Sequence, residues 1–190
     1  MTEETTKQDQ TEEVLASPDN RARLQRILLG LISLVGLGVT GYLAKLYYTP
    51  ATGEAVCNLG AGLSCEEVSK SIYAEIIGIP MGVLGLAFFL AVLVVALWLF
   101  NEKFLKLAIF ASILSLGPSL YLTAMEIFVI ENICVFCELS KVLMIGVILV
   151  TLWSIGWNKY RAKHWAAAIL LALLLAGITY LYHAISLAQV

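Results

Sequence analysis

Long apolar runs, separated by short polar stretches, set the pattern of this chain. A helix needs roughly 20 apolar residues to cross a bilayer. Five stretches meet that length: Ile27–Tyr47, Pro80–Phe100, Phe104–Ile130, Cys134–Trp157 and Trp165–Leu187. Most connections between them are short, which predicts antiparallel neighbours in a compact bundle. The expected fold class is therefore all-α integral membrane: a four-helix transmembrane bundle plus a fifth transmembrane helix. The one sizeable polar interruption runs from Tyr48 to Ile79. There, Thr49 to Gly53 reads as a turn, and Asn58 to Gly62 as a flexible link. Ser64-Cys65-Glu66-Glu67 fits a capping box that starts a helix at Cys65. Val68, Ile72 and Ile76 recur every four residues, predicting a short amphipathic lid helix on the membrane surface that ends near Gly78.

Composition sharpens this picture. The chain is 60% hydrophobic and only 14% charged, which excludes an ordinary soluble domain and makes a nucleic-acid partner unexpected. The acidic stretch Met1–Asn20 lacks apolar periodicity and is expected to be disordered. It does not read as a signal peptide, since its basic residues follow the acidic ones. Basic residues fix the expected orientation. Arg21, Arg23 and Arg26, Lys103 and Lys106, and Lys159, Arg161 and Lys163 fall on one side, which should be cytoplasmic. The other side holds Lys70, with Lys45 and Lys141 near its boundary. Three regions follow: a cytoplasmic tail at 1–22, a four-helix core at 23–157 with an outer loop at 48–79, and a basic loop with the fifth helix at 158–190.

The chain has four cysteines in two pairs, and this topology puts all of them on the outer, oxidising side. Cys134 and Cys137 lie in the first turn of the fourth span, three apart on one helix face. A helix N-terminus favours a thiolate, the attacking species in disulfide exchange. Glu131 and Glu138 oppose that effect. Cys57 and Cys65 lie in the outer loop. Two such pairs can pass electrons by disulfide exchange, and a membrane setting points to a lipid-soluble carrier as their destination. The same residues also allow two inert structural disulfides, a set of unrelated buried thiols, or a four-thiolate zinc site. The eight-residue spacing of Cys57 and Cys65 is long for zinc, and no metal is expected.

Other residues stand out. Glu126 is a carboxylate inside the third span, a candidate for proton relay or for a bond to a neighbouring helix. Pro118 should kink that span, and a kink can open space for a ligand. Gly36, Gly38 and Gly41, and Gly82 with Gly85, offer small faces for close helix contact; a flat ring could also lie against Gly82. His164 and His183 are read as interfacial. Tyr42, Tyr47, Tyr48, Trp153, Trp157 and Trp165 are read as interface anchors.

Taken together, Cys57…Ser64-Cys65-x-x-Val68-x-x-Ser71, then Gly78-Ile79-Pro80 with Gly82 and Gly85, then Cys134-x-x-Cys137 resembles the vitamin K epoxide reductase family over most of Leu24–Trp157. The resemblance implies a four-helix bundle around a membrane quinone of the menaquinone, phylloquinone or ubiquinone type. It implies that Cys57 exchanges with an external thiol, that Cys65 carries the disulfide to Cys134, and that Cys137 lies beside the quinone and reduces it. Ser71 matches a serine of the motif and would help position the cysteines. Lys141 stands where vertebrate members have a quinone-contacting tyrosine, which fits the prokaryotic branch better. Many prokaryotic members carry a thioredoxin-like domain after a fifth span. Its absence here implies a separate thioredoxin-like disulfide carrier on the extracytoplasmic side of a plasma membrane. The expected function is thiol:quinone oxidoreduction in support of disulfide formation. The alternatives are a vitamin K epoxide or quinone reductase of an endomembrane and a non-enzymatic membrane protein with structural disulfides.

Overall fold

The apolar runs form helices where the pattern places them, with shifted ends. The computed structural model describes residues 18–51, 55–58, 60, 62–156 and 162–188. Of the stretch Met1–Asn20 expected to be disordered, residues 1–17 lie outside the described residues, as do the basic segment at 157–161 and Trp157, while Pro18–Asn20 are helical and correct that expectation. Helix α1 spans Pro18–Tyr48, starting well before the apolar run at Ile27. Proline suits a first helical position, and Asp19 in the first turn complements the helix dipole. Helix α2 spans Cys65–Lys70. Strands β1 (Glu75–Ile76) and β2 (Ile79–Pro80) pair antiparallel, with Ile76 opposite Ile79. Helix α3 spans Met81–Leu97. Helix α4 spans Glu102–Met125, its start capped by the Asn101 side chain, which accepts from the Lys103 and Phe104 amides. It continues into one π-helical turn, Glu126–Ile130. Helix α5 spans Val135–Ile155 and stops at Gly156, where φ is 85°. Helix α6 spans Ala162–Ala188.

Four of these segments are long and apolar enough to cross a membrane: α1, α4 with its π turn, α5 and α6. Helix α3 is the exception. Its 17 residues make about 25 Å of helix, less than the full span expected over Pro80–Phe100. Extended backbone at Pro80 and the end of the helix at Trp98 trim both ends.

Helix α1 packs on α3 and α5, while α4 packs on α5 and α6. Far from the cysteines, Leu29, Val92, Ile109, Val147 and Ala168 share one buried cluster. A second cluster, at the other end, gathers Leu43, Leu46, Val68 and Leu122 around all four cysteines. Close approach rests on glycine, as apolar lipid requires. A Cβ at Gly82 would lie 2.7 Å from the Ala44 amide nitrogen, and one at Gly36 would lie 2.4 Å from Phe89. Gly85 meets Thr40 in the same way, whereas Gly38 faces open space and takes no part. Hydroxyls buried in the bundle bond to their own helix: Thr40 donates to the Gly36 carbonyl, Ser112 to Ala108 and Thr151 to Val147.

The lid differs from its expected form. The helix ends at Lys70, because the Ser71 hydroxyl and amide both turn back to the Val68 carbonyl. A 3₁₀ turn at Ile72–Ala74 and the β1–β2 hairpin replace the rest. Val68 is fully buried but Ile72 is exposed, so the four-residue stripe does not persist. Ile77 and Gly78 both have positive φ at the hairpin turn, 54° and 75°.

Candidate redox site

The outer loop is fastened to the start of α5. The Ile133 amide donates to the Gly62 carbonyl at 2.9 Å, and Leu63 pairs with Ile133 as a parallel bridge. The Asn132 side chain donates to Glu67 Oε2 at 2.5 Å. Two residues past Leu63 comes Cys65, and one past Ile133 comes Cys134. This pairing brings the two cysteine pairs together at one end of the bundle. Cys65 and Cys134 are both wholly buried, and they share an apolar cluster with Cys57 and Cys137. Low-dielectric surroundings of this kind exclude competing water.

Local chemistry positions each sulfur. Ser64 Oγ accepts from the Glu67 amide at 3.3 Å and starts α2 at Cys65, as the capping pattern predicts. Glu67 does not complete a reciprocal box; its carboxylate goes to Asn132. Cys57 and Cys65 form a disulfide with Cα atoms 5.7 Å apart, while Cys134 and Cys137 are buried thiols. Cys57 is only 2% exposed, so no second protein reaches its sulfur unless the covering chain moves. Helix α5 starts at Val135, later than the Asn132 or Ile133 expected from the pattern, and Cys134 is its N-cap: the Cys134 sulfur accepts from the Cys137 amide at 3.2 Å. The Cys134 amide in turn donates to Glu126 Oε2 at 3.1 Å. The π turn supplies that contact, leaving Glu126 fully buried while Ile127, Phe128 and Val129 face outward. Such turns recur at functional sites. Glu126 Oε1 has no hydrogen-bond partner among the described residues.

A cavity of about 490 Å³ opens in the same half of the bundle, within the size range of small-molecule sites. Its walls are mostly apolar, with Phe88 of α3, Leu114 of α4 and Met144 of α5 among them. Of the four cysteines, Cys137 alone lines it. Gly82 and Pro118 line it too, but Cys57, Cys65, Cys134, Ser71 and Glu126 do not. Ser71 acts on α2 by ending it, and Glu126 acts on Cys134.

Several residues play parts that the sequence shows only incompletely. Lys141 reads as a boundary cation by charge, but the resemblance sets it at the place of a quinone-contacting tyrosine; it is buried, lines the cavity, and donates to Thr123 Oγ1 and Glu138 Oε1. The signal for it was its position four residues after Cys137, on the same helix face. His183 is 2% exposed and bonded on both ring nitrogens, not interfacial; its counterpart His164 has no described side chain. Tyr42 and Tyr47 also turn inward. Tyr42 packs edge-on against Phe136 and accepts from the Val56 amide, while Tyr47 donates to Glu75. Tyr48 and Trp153 are exposed.

A quinone fits the cavity by chemistry as well as size: a flat apolar ring suits the walls, and its carbonyl oxygens suit the Lys141 ammonium. The model of the vitamin K epoxide reductase family matches residues 27–152, which is most of the chain and includes all four cysteines. Enzymes of that family are membrane oxidoreductases that use quinones and generally work with a redox partner. The chain belongs to the vitamin K epoxide reductase family and is an integral membrane oxidoreductase.

Proposed function

We propose that this protein oxidises the dithiol of a separate, extracytoplasmic thioredoxin-like carrier and delivers the electrons to a membrane quinone, so supporting disulfide formation. The observation that carries the reading is that Cys137 lines an apolar cavity while Cys134, its helix-cap partner, shares a buried cluster with the loop disulfide. A carrier thiolate attacks Cys57, breaking the Cys57–Cys65 bond; its second thiol then closes the carrier's own disulfide. Cys65 attacks Cys134 of an oxidised Cys134–Cys137 pair, and Cys57 resolves the mixed disulfide. Cys134 and Cys137 emerge as thiols, the state in the structure. The quinone, when bound, accepts two electrons and two protons as these thiols rejoin. Lys141 holds a positive charge at the cavity wall where negative charge develops. Glu126 holds the Cys134 amide and is the candidate group for moving a proton.

Arg26 lies over the Phe100 ring at 4.8 Å, gathering the basic start of α1 with Lys103 and Lys106 at the end away from the cysteines. That charge distribution supports a cytoplasmic N-terminus and outward cysteines in a prokaryotic plasma membrane. The test is trapping. Cys137→Ala in proteoliposomes, given a dithiol donor and menaquinone, should not reduce quinone; without donor, its Cys134 thiolate should attack Cys65 of the Cys57–Cys65 disulfide, leaving a Cys65–Cys134 mixed disulfide and a free Cys57 thiol. Normal quinone turnover by that variant refutes the assignment. A parallel arm with vitamin K epoxide as sole acceptor separates quinone reduction from epoxide reduction.

A further inference from the structure

Helix α6 lies beyond the family match, which ends at residue 152, yet it builds a wall of the cavity. Leu175, Ile178 and Thr179 line it. One turn further, His183 is buried where three elements meet. Its ring stacks on Tyr121 of α4, with centroids 5.6 Å apart and planes 8° apart, and Tyr73 of the 3₁₀ turn meets it edge-on at 5.4 Å. Nε2 lies 3.0 Å from the Glu75 carbonyl and Nδ1 lies 3.2 Å from the Tyr121 hydroxyl. A carbonyl only accepts, so Nε2 carries the hydrogen, and a neutral ring then accepts at Nδ1 from Tyr121.

The object held this way is the β1–β2 hairpin. Ile76, Ile77 and Pro80 from it close the cavity. Two strands of two residues each cannot hold themselves, and Ile77 sits at φ 54°, a position costly for a branched residue. The hairpin therefore needs external fasteners. Glu75 provides both: its carboxylate accepts from Tyr47 of α1 at 2.6 Å, and its carbonyl accepts from His183 of α6.

We propose that α6 is an integral wall of the quinone cavity and that His183 is a positioning residue that latches the Glu75–Pro80 hairpin over it. The kinetic part of this inference rests on the quinone reading above; the latch itself does not. His183→Phe keeps an aromatic ring but removes both hydrogen bonds. It should raise the quinone KM on the order of tenfold and leave kcat at saturating quinone within about twofold. It should also speed amide hydrogen exchange across Glu75–Ile79, with unchanged reduction of Cys57–Cys65 by dithiothreitol. His183→Gln, whose amide can still donate to the Glu75 carbonyl, should recover most of the loss. Tyr121→Phe, which removes only the donor to Nδ1, should move KM and exchange in the same direction by less, and serves if His183→Phe does not fold. Hairpin exchange at the wild-type rate in folded His183→Phe, or in Tyr121→Phe if that is the variant measured, overturns the latch. A wild-type protein that does not reduce quinone overturns the functional reading instead, and hairpin exchange alone then decides the latch.

Discussion

Replacing Gly117 with alanine should loosen α6 and, through it, the cavity. A methyl group there would lie 2.3 Å from the Ala172 carbonyl oxygen, 2.9 Å from its carbon and 3.1 Å from its Cα. These are backbone atoms, so no rotamer change relieves the clash. Reaching ordinary contact near 3.5 Å requires the two helices to part by about 1 Å, and a gap of that size forfeits roughly a quarter to a half of each affected dispersion contact. Overpacking of this kind costs about 1–3 kcal/mol. The helix-propensity gain of alanine over glycine returns about 1 kcal/mol, while crowding of the new methyl against the Pro118 ring adds to the cost. The net expectation is a loss of about 1–2 kcal/mol. Lipid is as apolar as the helix surfaces, so close packing is what holds α6 in place. Gly177, on the same helix, has nothing within 4 Å; Gly177→Ala is the control and should be neutral or stabilising by up to about 1 kcal/mol. Unfolding in mixed micelles by added dodecyl sulfate, followed by circular dichroism, measures both. Gly117→Ala should unfold at lower denaturant and show a raised quinone KM. A Gly117→Ala protein as stable as wild type, with an unchanged KM, would refute the close α4–α6 contact and its link to the cavity.

Three other outcomes are expected. Lys141→Met keeps an unbranched side chain one atom shorter but removes the charge, and should slow quinone reduction about a hundredfold while dithiothreitol still reduces Cys57–Cys65; an unaltered rate in a quinone-reduction assay takes Lys141 out of the chemistry. Asn132→Ala cuts the bond to Glu67 and should slow transfer from Cys65 to Cys134 by on the order of tenfold, read as delayed quinol formation in stopped-flow after reduction of the loop pair. Glu126→Gln keeps an acceptor for the Cys134 amide, so the fold should survive, with quinone reduction slowed roughly a hundredfold; unchanged turnover limits Glu126 to holding Cys134.

The parts of this protein legible in its sequence are those governed by local physics. Apolar run length located the spans, and the Ser64 cap located the start of α2 because its partner, the Glu67 amide, is three residues away. Cys134 and Cys137 were placed at the head of α5 by the same short-range logic. What escaped depends on distant partners. The lid was expected to be one helix because Val68, Ile72 and Ile76 share a helical period. The Ser71 hydroxyl competes for the Val68 carbonyl, and Ile77-Gly78 turns the chain into a hairpin. Family resemblance set Lys141 at the quinone position, but its charge alone reads as a boundary cation, because its ordering partner Thr123 is on another helix. His183 could not be separated from an interfacial histidine, since the Glu75 carbonyl that fixes it is 108 positions away.

Counting electrons tests the central idea most directly. Protein reduced at all four cysteines, freed of reductant and mixed with excess menaquinone without oxygen, should lose four thiols and form two quinols per chain, with Cys57–Cys65 and Cys134–Cys137 as the disulfides recovered. Protein that forms one quinol and keeps Cys57 and Cys65 reduced would contradict it, because the loop pair would then have no route to the cavity.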